Sequence, residues 1–214
     1  MCDHGHSGDG HGHGEGCSHE ALEQQPLVFD YNLYQYIVLE QINTLNESRD
    51  GDGKLVFKSM DSKNDRAKFV ESDADAELLF NIPFSAHVRL TGLCISGDQD
   101  ASHPARVKLY KDRPAMSFDD CSAEPEQMID VKQDPAGEVD YPLKTAKFNN
   151  VSHLSIFIER NFGADETKVY YIGLRGEYQQ DILRGKVPIT TYELNPNMAD
   201  HKGEIPEAIG KTLF

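Results

Sequence analysis

The sequence has few of the residues that bind nucleic acid or cross-link small folds. Its 214 residues include no tryptophan and four cysteines, and 21 Lys and Arg stand against 36 Asp and Glu, giving a formal net charge of −15. Because proteins use Lys and Arg to displace the counterions around phosphate, this charge excludes nucleic acid as the main partner. No apolar run approaches the roughly 18 residues that span a bilayer. We therefore expect a protein that is neither secreted nor bound to a membrane.

The cysteines indicate reduced thiols rather than a disulfide framework. Cys2, Cys17, Cys94 and Cys121 are widely spaced, and no Cys-x-x-Cys pair occurs among them. Disulfide frameworks are typical of short secreted chains with closely spaced cysteines. We predict that the protein is located in the cytoplasm, the nucleus or both.

The first twenty residues are rich in glycine and histidine, and their composition predicts a disordered tail over 1–20. Seven of their side chains are of types that bind zinc or copper, namely Cys2, His4, His6, His11, His13, Cys17 and His19. Their spacing does not match a closed structural zinc site. The tail therefore either binds zinc or copper weakly or is only a solvated segment, and we expect no cofactor to be required.

The remainder of the chain predicts one β-rich domain over 21–194 and a second flexible tail over 195–214. Apolar residues at near-helical spacing predict one short helix within 34–45. Six later segments are short and rich in β-branched and aromatic residues: 77–84, 87–96, 106–111, 127–131, 151–158 and 168–176. No helical pattern connects them, which disfavours parallel strands. The expected fold is all-β, an antiparallel β-sandwich or jelly roll.

The apolar positions of these segments, some of which alternate with polar ones, predict which side chains fill the space between the two sheets. In a strand, successive side chains point to opposite faces, so apolar residues at every second position mark the buried face. The residues expected there are Leu79, Ile82, Phe84, Leu90, Leu109, Leu154, Ile156 and Ile172.

Four carboxylates at every second position form the most conspicuous cluster of charge: Glu71, Asp73, Asp75 and Glu77. In an extended segment they would share one face, and crowded carboxylates repel each other unless a cation lies among them. The calcium-binding EF-hand pattern fails, since Leu78 stands where that loop needs glycine. Three interpretations remain open: a bound metal, an acidic patch that faces a protein partner, or structural pairing with nearby Lys and Arg.

No motif of a major enzyme class is present, so we predict a protein that is not an enzyme. The patterns G-x-S-x-G, H-E-x-x-H and G-x-x-x-x-G-K-[ST] do not occur, and His87, His103 and His153 lack supporting motifs as candidate bases. A second possible site is the rim of the sandwich, where jelly rolls often hold ligands. Arg160, Asn161 and Arg175 are the candidate residues there.

Six runs of sequence, in order along the chain, resemble the PITH domain family. They are LNES at 45–48, KFVESDAD at 68–75, LLFNIPF at 78–84, MSFDD at 116–120, NFGA at 161–164 and YIGLRG at 171–176. The resemblance implies a jelly-roll β-sandwich of galactose-binding-like shape. It also implies association with the proteasome, which is known for a thioredoxin-like relative. This chain lacks the Trp-Cys-x-x-Cys of that relative's redox domain, so reductase activity is not implied.

The sequence therefore leads to one favoured function and two alternatives. We expect a non-enzymatic interaction module that docks on another protein, by resemblance the proteasome or its regulatory particle, through Glu71, Asp73, Asp75 and Glu77. One alternative is a jelly roll that binds a small polar or sugar-like ligand at its rim. The other is a protein that handles metal through its N-terminal histidines.

Overall fold

The structure, a computed structural model, describes residues 30–179 and is built almost entirely of antiparallel strands. The predicted tails at 1–20 and 195–214, with the seven candidate metal ligands, lie outside the described residues. The strands are β1 (Asn43–Leu45), β2 (Val70–Glu71), β3 (Leu78–Gly97), β4 (Pro104–Lys111), β5 (Gln127–Asp130), β6 (Tyr141–Pro142), β7 (Val151–Asn161) and β8 (Lys168–Tyr178). Short 3-10 helices lie at Asn32–Tyr36, Leu39–Gln41, Gly53–Val56, Met60–Ser62 and Asp119–Ser122. The predicted all-β class is confirmed.

The long strand β3 links the two layers of the sandwich. The strands follow the order β2-β8-β3-β7-β4-β5, with β1 and β6 also paired to β3. The first half of β3 pairs with β1 and β7, and its second half pairs with β8 and β6. The register with β7 shifts between Pro83 and Val88. Such irregularities bend a strand, so the two halves of β3 belong to different layers of the jelly-roll sandwich.

The predicted inward-facing residues are all buried, and most of them form one core. Seven of the eight belong to the large apolar cluster between the layers: Ile82, Phe84, Leu90, Leu109, Leu154, Ile156 and Ile172. Leu79 is also fully buried, but it packs with Tyr110 and Phe157 in a second, smaller cluster. The predicted burial of Leu79 is confirmed. Its predicted position between the two layers is wrong, because Leu79 faces the opposite side of the sheet, which the segment after β4 covers.

The predicted helix within 34–45 is wrong. The segment contains two short 3-10 helices and then strand β1. The Val38 amide donates to the Pro83 carbonyl at 3.0 Å, and Thr44 is paired with Phe80. Strand partners on β3 therefore take the backbone groups that a helix would have paired internally, and the β-branched residues here favour that outcome.

Candidate functional site

The four predicted acidic residues do not share one face. Only Glu71 lies in a strand, while Asp73 and Asp75 lie in a series of bends after β2. Glu71 Oε1 is 3.7 Å from Lys168 Nζ. Within residues 30–179, no three His, Cys, Asp or Glu side chains are placed so that they could hold one metal ion. The extended arrangement that motivated the cluster is therefore wrong, and Glu71 is separated from the other three.

Asn46 holds the bends that carry Asp73 and Asp75, a role that the sequence patterns did not reveal. Its side-chain amide donates to Asp75 Oδ1 at 2.9 Å and to the Glu77 carbonyl at 2.7 Å, and its oxygen accepts from the Ala74 amide at 3.0 Å. Asn46 has a φ of 66°, a conformation that asparagine tolerates better than most residues. Asp73 and Asp75 are both exposed, and Asp75 also has a structural task because it is bound to Asn46.

Glu77 is close enough to Cys121, a member of the smaller apolar cluster, to add to the rise in the pKa of that thiol that burial mainly causes. Partial burial is also the main cause that raises the pKa of Glu77 above the usual range, and the carboxylates of Asp75 and Glu159 add to the effect. Lys108 opposes the rise, but its ammonium lies 2.6 Å from Glu159 Oε1. The charges that act on Glu77 are therefore those of Asp75, Glu159 and Lys108, whereas Glu71 lies near Lys168.

The three predicted rim residues do not form one site either. Asn161 is buried and ties the turn after β7, donating to the carbonyls of Ala164 and Glu166 at 2.9 Å each. Arg160 is exposed and lies 4.0 Å from Asp130. Asn161 ends β7, and the turn that it ties leads directly to Lys168 at the start of β8. Arg175 lies seven residues further along β8, roughly 23 Å from Lys168 and therefore far from Asn161. The hypothesis of a single ligand rim made by these three is wrong.

Arg175 instead belongs to a partly buried polar network. Its Nη2 lies 2.7 Å from Asp140 Oδ2, and the Asp140 side chain is 7% exposed. The Tyr31 hydroxyl donates to Asp140 Oδ1 at 3.1 Å, and burial raises the pKa of Tyr31 far above its usual value, so this proton is retained. The pair lies over Gly92, where a Cβ would come within 2.6 Å of both side chains. The network joins three distant parts of the chain.

His103 and the two thiols within the described residues have structural surroundings. His103 is fully buried, accepts from the Asp134 amide at Nε2 (2.9 Å) and contacts the Pro104 carbonyl through Nδ1 (2.8 Å). Burial raises the pKa of Cys94 to about 12 and that of Cys121 to about 11. Both thiols are therefore protonated at neutral pH and are poor nucleophiles.

The structure does form an acidic cleft, which includes only Glu71 of the predicted cluster. The acidic cleft is a cavity of about 370 Å³ between the loops that follow β3 and β7. Its lining residues are Glu71, Asp98, Asp100, Ser102, Ala164, Asp165, Glu166 and Lys168. Lys168 is the single cation among these residues, and its ammonium also lies 4.2 Å from the centre of the Phe69 ring. The cleft thus has a strong excess of negative charge.

An exposed aromatic side chain stands beside the acidic cleft. Phe162 follows Asn161 in the turn between β7 and β8 and is 46% exposed. Its backbone amide is held by the carbonyls of Ala101 and His103, and its ring packs edge-on against His103 at 6.1 Å between centroids. Aromatic side chains are enriched at protein interfaces, and the exposed carboxylates of Asp165 and Glu166 follow Phe162 closely in the same turn.

Together the antiparallel layers, the bent central strand and the loop-end cleft define a jelly-roll β-sandwich whose surface features lie at its loops. The chain belongs to the PITH domain family, whose profile matches residues 24–196. It is 56% identical over 216 residues to PITH domain-containing protein ZK353.9 of Caenorhabditis elegans, covering 100% of both chains. It is 59% identical over 175 residues to PITH domain-containing protein 1 of Danio rerio, covering 82% of this chain and 83% of the relative.

Among solved structures, the C-terminal domain of a chitobiase from Bacteroides fragilis is similar to this chain. The match has a TM-score of 0.48 and 12% sequence identity, and it covers 67% of this chain and 94% of that one. Likeness at this level carries no argument about ligands. Within residues 30–179 no helix is long and apolar enough to cross a membrane.

Proposed function

We propose that this protein is a non-enzymatic interaction module that docks on another protein, and that the proteasome or its regulatory particle is that partner. Membership of the PITH domain family supports the choice of partner, because the family is associated with the proteasome. The acidic cleft beside Phe162 is the observation that carries the docking role. The proposal needs no cofactor and places the protein in the cytoplasm or the nucleus.

The charge of the cleft specifies the chemistry of the partner surface. Asp165 and Glu166 are exposed, and Lys168 is already placed near Glu71. A basic or mixed surface would be attracted over distances up to the screening length, about 8 to 10 Å at physiological ionic strength. Complementary charge acts mainly on the rate of association. An aromatic side chain that a partner buries, as proposed for Phe162, acts mainly on the rate of dissociation.

Binding kinetics with purified proteasome test this proposal directly. The full-length protein would be immobilised and exposed to the 26S particle, the isolated regulatory particle and the isolated core particle at two salt concentrations. We expect saturable binding to a particle that contains the partner and a slower association at higher salt. Absence of binding to all three particles at low salt would overturn the choice of partner.

Paired charge reversals then locate the docking surface. The double variant Asp165→Lys and Glu166→Lys should slow association at least tenfold, since it reverses the exposed charge of the acidic cleft. The control is Asp119→Lys with Glu124→Lys, which changes the net charge equally at exposed positions after β4. If both double variants slow association to the same degree, only the overall charge matters and the cleft is not the docking surface.

Phe162→Ala separates the apolar contact from the charge. It should increase the dissociation rate and leave the association rate nearly unchanged, because it removes a short-range contact only. Tyr178→Ala is the matched control, since Tyr178 is also 46% exposed but lies at the far end of β8. Equal dissociation rates for the two variants would contradict a role for Phe162.

A further inference from the structure

A second cavity adjoins the acidic cleft and has the opposite charge. This cationic cavity has a volume of about 330 Å³ and is lined by Lys63, Asn64, Arg66, Ser96, Pro135, Ala136 and Tyr170. Asp98, which lines the acidic cleft, contacts both Arg66 and Tyr170, so the two cavities share this boundary. Two cations and no carboxylate line the cationic cavity, in a chain whose formal net charge is −15.

The guanidinium of Arg66 is held in one orientation. Its Nη1 donates to Asp98 Oδ1 at 3.0 Å, its Nη2 donates to the Pro135 carbonyl at 3.1 Å, and its Cζ lies 4.8 Å from the centre of the Tyr170 ring. The side chain is nevertheless 49% exposed. Since a guanidinium has five N–H groups, donors remain for a ligand. A cation fixed before binding loses less conformational entropy when a ligand arrives.

Lys63 supplies a second fixed cation. Its ammonium donates to the Gly137 carbonyl at 2.9 Å, which uses one of its three N–H groups. Asp98 binds Arg66 and also accepts from the Tyr170 hydroxyl at 2.7 Å, and this one carboxylate stands against the two cations Lys63 and Arg66. The cavity therefore presents two positive groups with donors to spare, a pairing that matches the two oxygens of a carboxylate.

The rest of the cavity wall is suited to an apolar group. Pro135 and Ala136 come from the loop after β5, and Tyr170 comes from β8. The Ser96 hydroxyl is engaged with the Pro135 carbonyl at 2.9 Å, which fixes that loop against β3. The volume falls at the lower end of the range for small-ligand pockets, about 300 to 1,000 Å³.

We propose that the cationic cavity binds a carboxylate-bearing ligand, with the carboxylate between Lys63 and Arg66 and an apolar group against Pro135, Ala136 and Tyr170. The carboxylate can belong to a small organic acid or to the C-terminus of a peptide, since both present the same group. This site is separate from the protein docking proposed for the acidic cleft, and it gives the family's sandwich a second recognition surface.

Titration of the full-length, isotope-labelled protein with benzoate and benzamide tests the site by NMR. Benzamide is the matched neutral probe, because it has the same ring and nearly the same shape. We expect benzoate to shift the backbone amide signals of Ser96, Ala136 and Tyr170 saturably, with an affinity at least tenfold higher than that of benzamide. Equal affinity for both probes, or no shifts at these residues, would overturn the proposal without requiring any variant.

Two variants and one control assign the binding to the cations. Arg66→Gln should weaken benzoate binding at least tenfold, and Lys63→Met should weaken it in the same direction. Arg49→Gln is the control, because Arg49 is an exposed arginine outside both cavities. Benzoate affinity that is the same in Arg66→Gln and Arg49→Gln would show that the carboxylate does not bind at Arg66.

Two peptides distinguish the sources of the carboxylate. Gly-Ser-Ala-Phe would be titrated with a free C-terminus and with an amidated C-terminus. A free acid that binds at least tenfold more tightly than benzoate, with loss of binding on amidation, supports a peptide C-terminus. A free acid that binds no better than benzoate supports a small organic acid. Benzoate binding should persist in the Asp165→Lys, Glu166→Lys variant, so this site and the docking surface can fail independently.

Discussion

The interior of the sandwich and the end that carries the acidic cleft, called the loop end below, are stabilised in different ways. Between the layers, apolar side chains from the strands are buried against one another in one large cluster. At the loop end, single polar side chains such as Asn46 and Asn161 each bind several backbone groups. Burial of apolar area is non-directional, whereas these hydrogen bonds depend on particular atoms at particular distances. The stability of the interior therefore depends on how much apolar surface is buried, and that of the loop end depends on particular donor and acceptor atoms.

The largest effect is expected in the interior. Ile156→Ala should lower the free energy of unfolding by roughly 2 to 5 kcal/mol, the usual cost of truncating a fully buried aliphatic side chain. Denaturant unfolding measures the change, with Met128→Ala as the control because Met128 is 51% exposed. A loss below about 1 kcal/mol for Ile156→Ala is the level of a surface site, and it would show that the interior does not contribute more to stability than the loop end.

A smaller effect is expected at the loop end. Asn161→Ala removes a buried amide that serves the carbonyls of Ala164 and Glu166, and it should cost about 1 to 3 kcal/mol. Hydrogen exchange should show faster exchange in the turn between β7 and β8, with little change in β3. Uniform loss of protection across all strands would mean that this turn and the core unfold as one unit.

A pH-dependent effect sharpens the comparison for Glu77. Its pKa is raised in the folded state, so the folded protein binds this proton more readily than the unfolded chain does. The stability that Glu77 contributes is thus present below the unfolded pKa and is lost as pH rises through the folded pKa. Glu77→Gln should reduce this loss, giving a small gain in stability at pH 7 and none near pH 3. Thermal unfolding measures the gain at both pH values. A larger stability gain for Glu77→Gln at pH 3 than at pH 7 would contradict a raised pKa of Glu77 in the folded state.

The smallest effect on stability is expected for the N-terminal histidine-rich segment. We propose that residues 1–20 bind zinc or copper weakly, because clustered ligand types without closely paired spacing must overcome chain entropy on binding. Deleting these residues should abolish metal binding in calorimetry and leave the melting temperature unchanged. A lower melting temperature, in the deletion variant or after addition of a chelator to the full-length protein, would show that the segment supports the fold.

Local pattern was enough to predict the longer strands and most of the core, although 77–84 and 87–96 form the single strand β3 and the short strands β1, β2 and β6 were missed. Alternation identified Leu154, Ile156 and Ile172 as buried because the side-chain period of a strand is visible in a few consecutive residues. The same reasoning predicted carboxylates on one face at 71–77, where the chain actually bends. Ser72, Asp73 and Asp75 are turn-forming residue types, and Asp75 Oδ1 accepts from the Glu77 amide at 2.9 Å. The other side chain that holds the bends, Asn46, lies about thirty residues away.

What the sequence alone determined is the all-β class, the buried faces of the strands and the family. The tertiary structure decided that 34–45 does not form a helix, that Arg160, Asn161 and Arg175 lie apart, and that Glu71 joins Asp165 in one cleft. It also placed Arg66 on the ring of Tyr170 beside Asp98. The physical reason is range: strand periodicity is a property of neighbouring residues, whereas each cavity is formed by loops that only the pairing of β3 with β7 and β8 brings together.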